Sequence, residues 1–458
     1  MKDQWLLTND TARALYHSVA RELPIIDYHN HLSLADIANN RQFESITALW
    51  IAPDPYKHRA MRILGVPERL ITGDASPFEK FEAWYASLPK LIGNPLYDWS
   101  IMEFEQVLEL SLTPFDRPTK AVWEDANERL LSLSALDILE KFNVAYCAPC
   151  ATLCDDLSVF KNLDDRFAPS LRADELLSPT LGLIEKLQAL TETRIFDLST
   201  FLSAVEKRLN DFTAARCRYT DHALDNGFRF IPDDGQNENR FACVLEGKAL
   251  NASELQALSS YLLVRLASLY AKHSLNMQLH IGAQRSTSTR LRKLAGAAGG
   301  FAAIGNSADV ASLTALLDAV EQAPYGLPKT LLFCLNPTDN ATFSVLCGSY
   351  SKDGVPAIVS QGPSWWWCDH RQGMRDMLEH FSVYGVLSSF VGMTTDSRSL
   401  LSFVRHDYFR RILCDWIGTQ AEALWQGADF ALLSSLVQKL CYENAAKTVF
   451  QIDKKKGI

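Results

Sequence analysis

Residues 24–32 read PIIDYHNHL, and the way this run ends decides the fold. Three apolar-rich positions lead into Asp27-Tyr28-His29-Asn30-His31. Alternate side chains of a strand share a face, so His29 and His31 project together. Two imidazoles on one face at the C-terminal end of a strand suit the mouth of a parallel α/β barrel, where such folds place their chemistry. Similar strand-like runs follow at Asn143–Cys150, Ala168–Arg172, Cys217–His222, Asn276–Ile281, Thr330–Asn336, Ala357–Gln361 and Phe390–Thr395. Between most of them lie stretches such as SELQALSSYLLVRLASLYAKH and GMRDMLEHFSVYG, with apolar residues every three to four positions. Strands alternating with helices give parallel βαβ units, and eight of them close into a distorted (β/α)8 TIM-type barrel. A doubly wound open sheet is the alternative. It would be favoured by a glycine-rich phosphate loop, and none follows the first strand.

The rhythm breaks once. From Ser33 to Ala135 the chain reads as helices and turns (FESITALW, YKHRAMRILGV, SPFEKFEAWYASL, DWSIMEFEQVLEL) without a convincing strand. Residues 1–32 and 136–458 are therefore expected to form the barrel, and 33–135 a helical insertion covering its mouth. At the far end of the chain, Thr394-Thr395-Asp396-Ser397-Arg398 puts a carboxylate at the end of the expected last strand. In a closed barrel that strand lies beside the first, so Asp396 can meet His29 and His31. Two histidines and a carboxylate around an open position suit a divalent, zinc-like cation. The blander alternative for Asp396 is an N-cap of the following helix.

Composition narrows the class. The 458 residues are 47% hydrophobic and 22% charged, ordinary for a globular chain. A net charge of −9 and a pI near 5.6 argue against nucleic acid or an anionic membrane as partner. The basic run Lys454–Lys456 reads as a solvated tail. No segment approaches the roughly eighteen apolar residues of a membrane span, and the N-terminus lacks signal-peptide features, so a cytoplasmic location is expected. Ten cysteines suit a reducing interior. Cys147, Cys150 and Cys154 cluster without the second pair of a zinc knuckle, and read as buried structural thiols.

Several segments together resemble the uronate isomerase family, a branch of the amidohydrolase superfamily. They are DYHNHL, YKHRAMRILGV…ITGDASPFEKFEAW…GNPLYDW, LHIGAQR and SWWWCDHRQGM…GVLSSFVGMTTDSRSLLSFVRHDYFRRILC, in family order. The resemblance implies metal contact by His29, His31 and Asp396. It matches Tyr56 to the tyrosine of a Tyr-Lys-Trp-Arg stretch, Arg172 to the arginine after the third strand, and Asp221 to a Ser-Asp-His segment. It matches His280 and Arg285 to His-x-Gly-x-x-Arg, Trp366 to a double tryptophan, and Arg398 to Asp-Ser-Arg. His280 is either a substrate contact or a further metal ligand. Two departures stand out: Pro55 where the family has histidine, and CAPCATLCDD where it has Thr-Thr-Asp-Asp-Pro.

The activity implied is interconversion of a small sugar acid between aldose and ketose forms, by a homo-oligomer. That chemistry needs a group to move a proton between adjacent carbons and cations to hold the charged enediol oxygens. Tyr56, with its pKa lowered by Arg172, is the expected proton shuttle, with Asp396 moving a hydroxyl proton. Arg172 and Arg398 are expected to hold the anion bidentately. Asp221, Arg285 and Trp366 are expected to touch substrate. The rivals are a metal-dependent hydrolase, against which no bridging lysine stands near Asp221, and a non-catalytic barrel that binds sugar acids.

Overall fold

The computed structural model describes residues 3–450; the lysine run 454–456 lies outside them. Nine strands occur among the described residues, in chain order: β1 Ile25–Asn30, β2 Val144–Thr152, β3 Ser170–Arg172, β4 Tyr219–Leu224, β5 Asn276–Ile281, β6 Ala283–Gln284, β7 Ala303–Ile304, β8 Thr330–Cys334 and β9 Val359–Gln361. Seven pair into one curled parallel sheet in the order β1-β2-β3-β4-β5-β8-β9. β1, β5 and β8 are buried along their whole length. Such burial is expected of parallel strands covered on both faces, and explains why they read as apolar runs rather than alternating ones. Helices such as Ala252–Lys272 pack alongside; Asn251 opens that helix with a capping box closed by Glu254.

The eighth expected strand, Phe390–Thr395, does not form, and this corrects the sequence reading. The segment lies beside β1 but is held by side chains rather than a ladder. The buried carboxylate of Asp27 accepts from Thr394 Oγ1 at 2.6 Å, Thr395 N at 2.7 Å and Thr395 Oγ1 at 2.8 Å. Tyr28 donates its hydroxyl to Gly392 O at 3.0 Å. Gly392 has φ +94°, and a Cβ there would lie 2.7 Å from Leu440 O, so a regular strand residue has no room. The backbone rejoins β1 only at the end, where Asp396 N donates to His29 O (3.1 Å) and His31 N to Ser397 O (2.7 Å). Those two bonds fix Asp396 against the paired histidines.

Between β1 and β2 the chain is helical, including Ile46–Trp50, Pro55–Ile63, Pro77–Tyr85, Pro95–Glu103 and Thr119–Leu130. These helices share a core in which Trp50 meets Phe104 at 4.5 Å and Phe81 at 6.0 Å between ring centroids. Lys57 is buried within it, 3.0 Å from Asp54 and 3.2 Å from Glu103. Removing one member of a buried ionic group strands its partners, so Lys57→Met is expected to cost about 3–5 kcal/mol of stability. Chemical denaturation followed by tryptophan fluorescence measures this, and an unchanged midpoint would show the triad to be dispensable.

The short hairpin β6–β7 and the loop it carries have no counterpart in the sequence reading. Arg59 donates to the carbonyls of Gly300 (3.3 Å) and Ala302 (3.1 Å), binding this loop to the helix Pro55–Ile63. Gly300 has φ +80°, and a Cβ there would overlap Pro55 O. This loop and the helix Pro55–Ile63 thus lie against each other.

Candidate active site

One cavity of about 200 Å³ opens at the C-terminal ends of the strands, a size suited to a small ligand. His31, Tyr56, Arg172, His280, Arg285, Trp366, Asp396 and Arg398 all line it. His29 and Asp221 stand behind the lining, each fully buried. His29 Nε2 and His31 Nε2 lie 3.4 and 3.2 Å from Asp396 Oδ1. The other oxygen of Asp396 accepts from Trp366 Nε1 at 2.8 Å. Asp396 and Trp366 both adopt left-handed backbone, each with φ +52°. Strain of that kind costs about 1–3 kcal/mol per residue and collects at functional sites.

The donor chemistry fits a divalent cation. Burial works against a charged imidazole at His29, yet the negative groups Cys150, Asp221 and Asp396 hold its pKa well above the usual histidine value. His31 is raised similarly against burial, by Cys150 and Asp396. Burial also opposes charge on Asp396, but the two histidines hold its carboxyl well below the usual range. Surroundings that favour positive charge between these groups favour a metal as well. Ser170 Oγ, 3.4 Å from His29 Nδ1, orients that ring from behind.

Cys150 belongs to this group, which corrects its reading as a structural thiol. Its sulfur lies 3.6 Å from His29 Nε2, and the ligand atoms of His29, His31 and Cys150 all fall within 4.8 Å of one another. Burial raises its pKa, but the two histidines bring it down to about 6. Cys147 does match the structural reading: it is buried and accepts from Asn30 at 3.4 Å. The sequence held a signal for Cys150, since it sits in the second strand near the end that carries His31 in the first.

Tyr56 is the second residue of the helix Pro55–Ile63. Asp54 caps that helix, accepting from the backbone N–H groups of Tyr56 (2.9 Å) and Lys57 (3.2 Å). Pro55 occupies the first helical turn, where its missing N–H is harmless, so this departure from the family pattern is accommodated locally. The expected lowering of the Tyr56 pKa is wrong. Burial raises it well above the usual tyrosine value, the carboxylate of Asp396 adds to this, and Arg405 alone among its largest influences pulls the other way. Arg405 comes from the helix Val404–Ala423, pairs with Asp369 at 2.6 Å and lies 5.1 Å from the Trp99 ring. No strand-end pattern marks it in the sequence.

The arginines differ in what they have free. Arg172 is held by Asp174 (2.7 Å) and Asp221 (3.0 Å), so much of its fork is engaged. Asp221 also bonds His280 Nδ1 at 2.8 Å and, fully buried, stands beneath the cavity wall. Arg285 Nη2 reaches His280 Nε2 at 2.5 Å. Arginine only donates, so Nε2 accepts and Nδ1 carries the proton toward Asp221. With both nitrogens engaged, His280 forms part of the cavity wall. Arg285 also lies 4.9 Å from the Trp366 ring. Arg398 is exposed at the rim and makes no ion pair among the described residues.

A family model described as glucuronate isomerase matches residues 1–450. A uronate isomerase of Vibrio vulnificus is 39% identical over 97% of both chains. In shape the chain is similar to the crystal structure of a uronate isomerase from Thermotoga maritima, with a TM-score of 0.91, 26% identity, and coverage of 98% of this chain and 99% of that one. A glucuronate isomerase from Caulobacter crescentus, 22% identical, shares the fold with a TM-score of 0.88 over 100% of this chain and 98% of its own.

Proposed function

The chain belongs to the glucuronate isomerase family, and from that premise we propose that it interconverts D-glucuronate with D-fructuronate, and D-galacturonate with D-tagaturonate, by proton transfer through an enediol. The observation that carries the mechanism is the pairing, around one cavity, of a tyrosine kept neutral with a carboxylate kept ionised. Titratable groups whose surroundings push their pKa values apart make natural acid and base partners. Asp396 is the base: the hydroxyl proton it takes at ring opening passes to the departing ring oxygen, and the carboxylate so restored takes the proton beside the carbonyl and returns it to the adjacent carbon. Tyr56, as a neutral phenol, donates to the carbonyl oxygen that gains charge. Arg398, free at the rim, receives the substrate carboxylate, and the engaged fork of Arg172 steadies the enediol side.

His29, His31 and Asp396 would hold a divalent cation, expected to be zinc, which when bound supplies positive charge to a substrate oxygen. We read residues 33–135 as an insertion that closes the mouth and delivers Tyr56, and the enzyme as cytoplasmic. A two-metal hydrolase commonly needs a lysine at the site, and none lines the cavity among the described residues.

Arg398→Met removes a charge-assisted contact worth about 1.5–3 kcal/mol, so kcat/KM for either uronate is expected to fall roughly tenfold to a hundredfold. The loss should appear mainly in KM, because the carboxylate is bound alike in ground and transition states. Steady-state kinetics check this, with the matching neutral aldose as control. Equal losses for uronate and neutral sugar would remove Arg398 from the anion site.

A further inference from the structure

The CAPCATLCDD stretch, where this chain departs from the family pattern, carries a residue that the proposed mechanism does not use. Cys150 lies in β2, beside β1 and His29. Its sulfur is 3.6 Å from His29 Nε2 and 3.9 Å from Nδ1, so it sits nearer the nitrogen that faces Asp396. We propose that Cys150 is a fourth protein ligand, so that this chain holds its cation with two imidazoles, one carboxylate and one thiolate. The inference rests on the reading of His29, His31 and Asp396 as a metal site.

The spacing supports it. With zinc–sulfur near 2.3 Å and zinc–nitrogen near 2.0–2.1 Å, a tetrahedron has sulfur–nitrogen edges of about 3.5 Å and nitrogen–oxygen edges of about 3.4 Å. The corresponding separations are 3.6 Å for Cys150 to His29, and 3.4 and 3.2 Å for the histidines to Asp396. The donors of His29, His31 and Cys150 lie within 4.8 Å of one another; Asp396 does not join that group, so the thiol and the carboxylate flank the histidine pair from different sides. Binding releases the thiol proton to solvent as the thiolate takes its place on the cation. A soft donor shifts preference toward zinc, cobalt or cadmium and away from magnesium or manganese. Four protein ligands also leave substrate to enter as a fifth, an expansion zinc allows.

Zinc-edge X-ray absorption on the full chain loaded with one equivalent of zinc tests this without depending on any variant. One sulfur at about 2.3 Å is expected beside nitrogen and oxygen ligands. Cys150→Ser, with its circular dichroism matched to the parent, is expected to lose the sulfur shell and to bind zinc at least about 100-fold more weakly. Cobalt loading adds a second readout: a sulfur-to-cobalt charge-transfer band in the parent, absent from the serine variant. Stoichiometric zinc with only nitrogen and oxygen neighbours overturns the role of Cys150 while the metal reading stands. A sulfur shell that survives in Cys150→Ser overturns it too, because another cysteine then supplies the sulfur. A parent chain that binds no ion overturns the metal reading itself, and this inference with it.

Discussion

Asp396→Asn is expected to lower kcat/KM for D-glucuronate by about three to four orders of magnitude. Loss of a general base alone costs roughly 10²–10⁴. Here the same side chain would also close the proposed cation site, with one oxygen 3.4 and 3.2 Å from the two histidine nitrogens. Asparagine keeps the size and one acceptor, so the contact from Trp366 Nε1 survives and the fold is expected to hold. It removes the negative charge that favours both proton transfer and a cation. Bound zinc should therefore fall together with turnover, and steady-state rates with elemental analysis of the same samples check both. A variant that keeps its zinc and stays within about tenfold of the parent rate would show that the base lies elsewhere.

Tyr56→Phe separates proton donation from metal binding. The aromatic ring, which meets Trp367 edge-on at 6.2 Å between centroids, is retained, and only the hydroxyl is lost. The expected result is a fall in kcat of about two to three orders of magnitude with KM little changed and zinc content unaltered. The pH dependence has a definite sign. In the proposed mechanism the active form is the neutral phenol, and burial with the nearby Asp396 charge holds its pKa well above the usual tyrosine value. Activity of the parent should therefore persist through the alkaline range and decline only above the ordinary tyrosine pKa. A rate that climbs steadily with pH would instead make Tyr56 a phenolate base and reverse the assignment.

What the sequence disclosed and what it hid have physical causes. The strand–helix alternation placed seven strands because parallel strands buried on both faces leave short apolar runs that need no partner to be recognised. It erred at Phe390–Thr395, which has the same apolar signature but is held by the Asp27 carboxylate and bent at Gly392. Apolarity reports burial, not a ladder. The His29, His31 and Asp396 cluster was legible because period-two alternation and strand ends are local features. Charge states were not, since they depend on which groups face one another across the cavity. Arg172 spends its fork on Asp174 and Asp221, while Arg405, from a helix remote in sequence, is the cation beside Tyr56. The hairpin β6–β7 escaped notice because two-residue strands leave no pattern to read.

Isomerisation rather than hydrolysis is the central claim, and the products decide it. Purified, zinc-loaded protein is incubated separately with D-glucuronate and D-galacturonate labelled with carbon-13 at C2, and the mixtures are followed by NMR. Conversion of the labelled carbon from a hydroxyl-bearing carbon to the C2 ketose position, for at least one uronate, with mass conserved and the reverse reaction seen from the ketose, is the expected result. No ketose from either uronate, together with turnover of an ester or amide that Arg398→Met leaves undiminished, would contradict it.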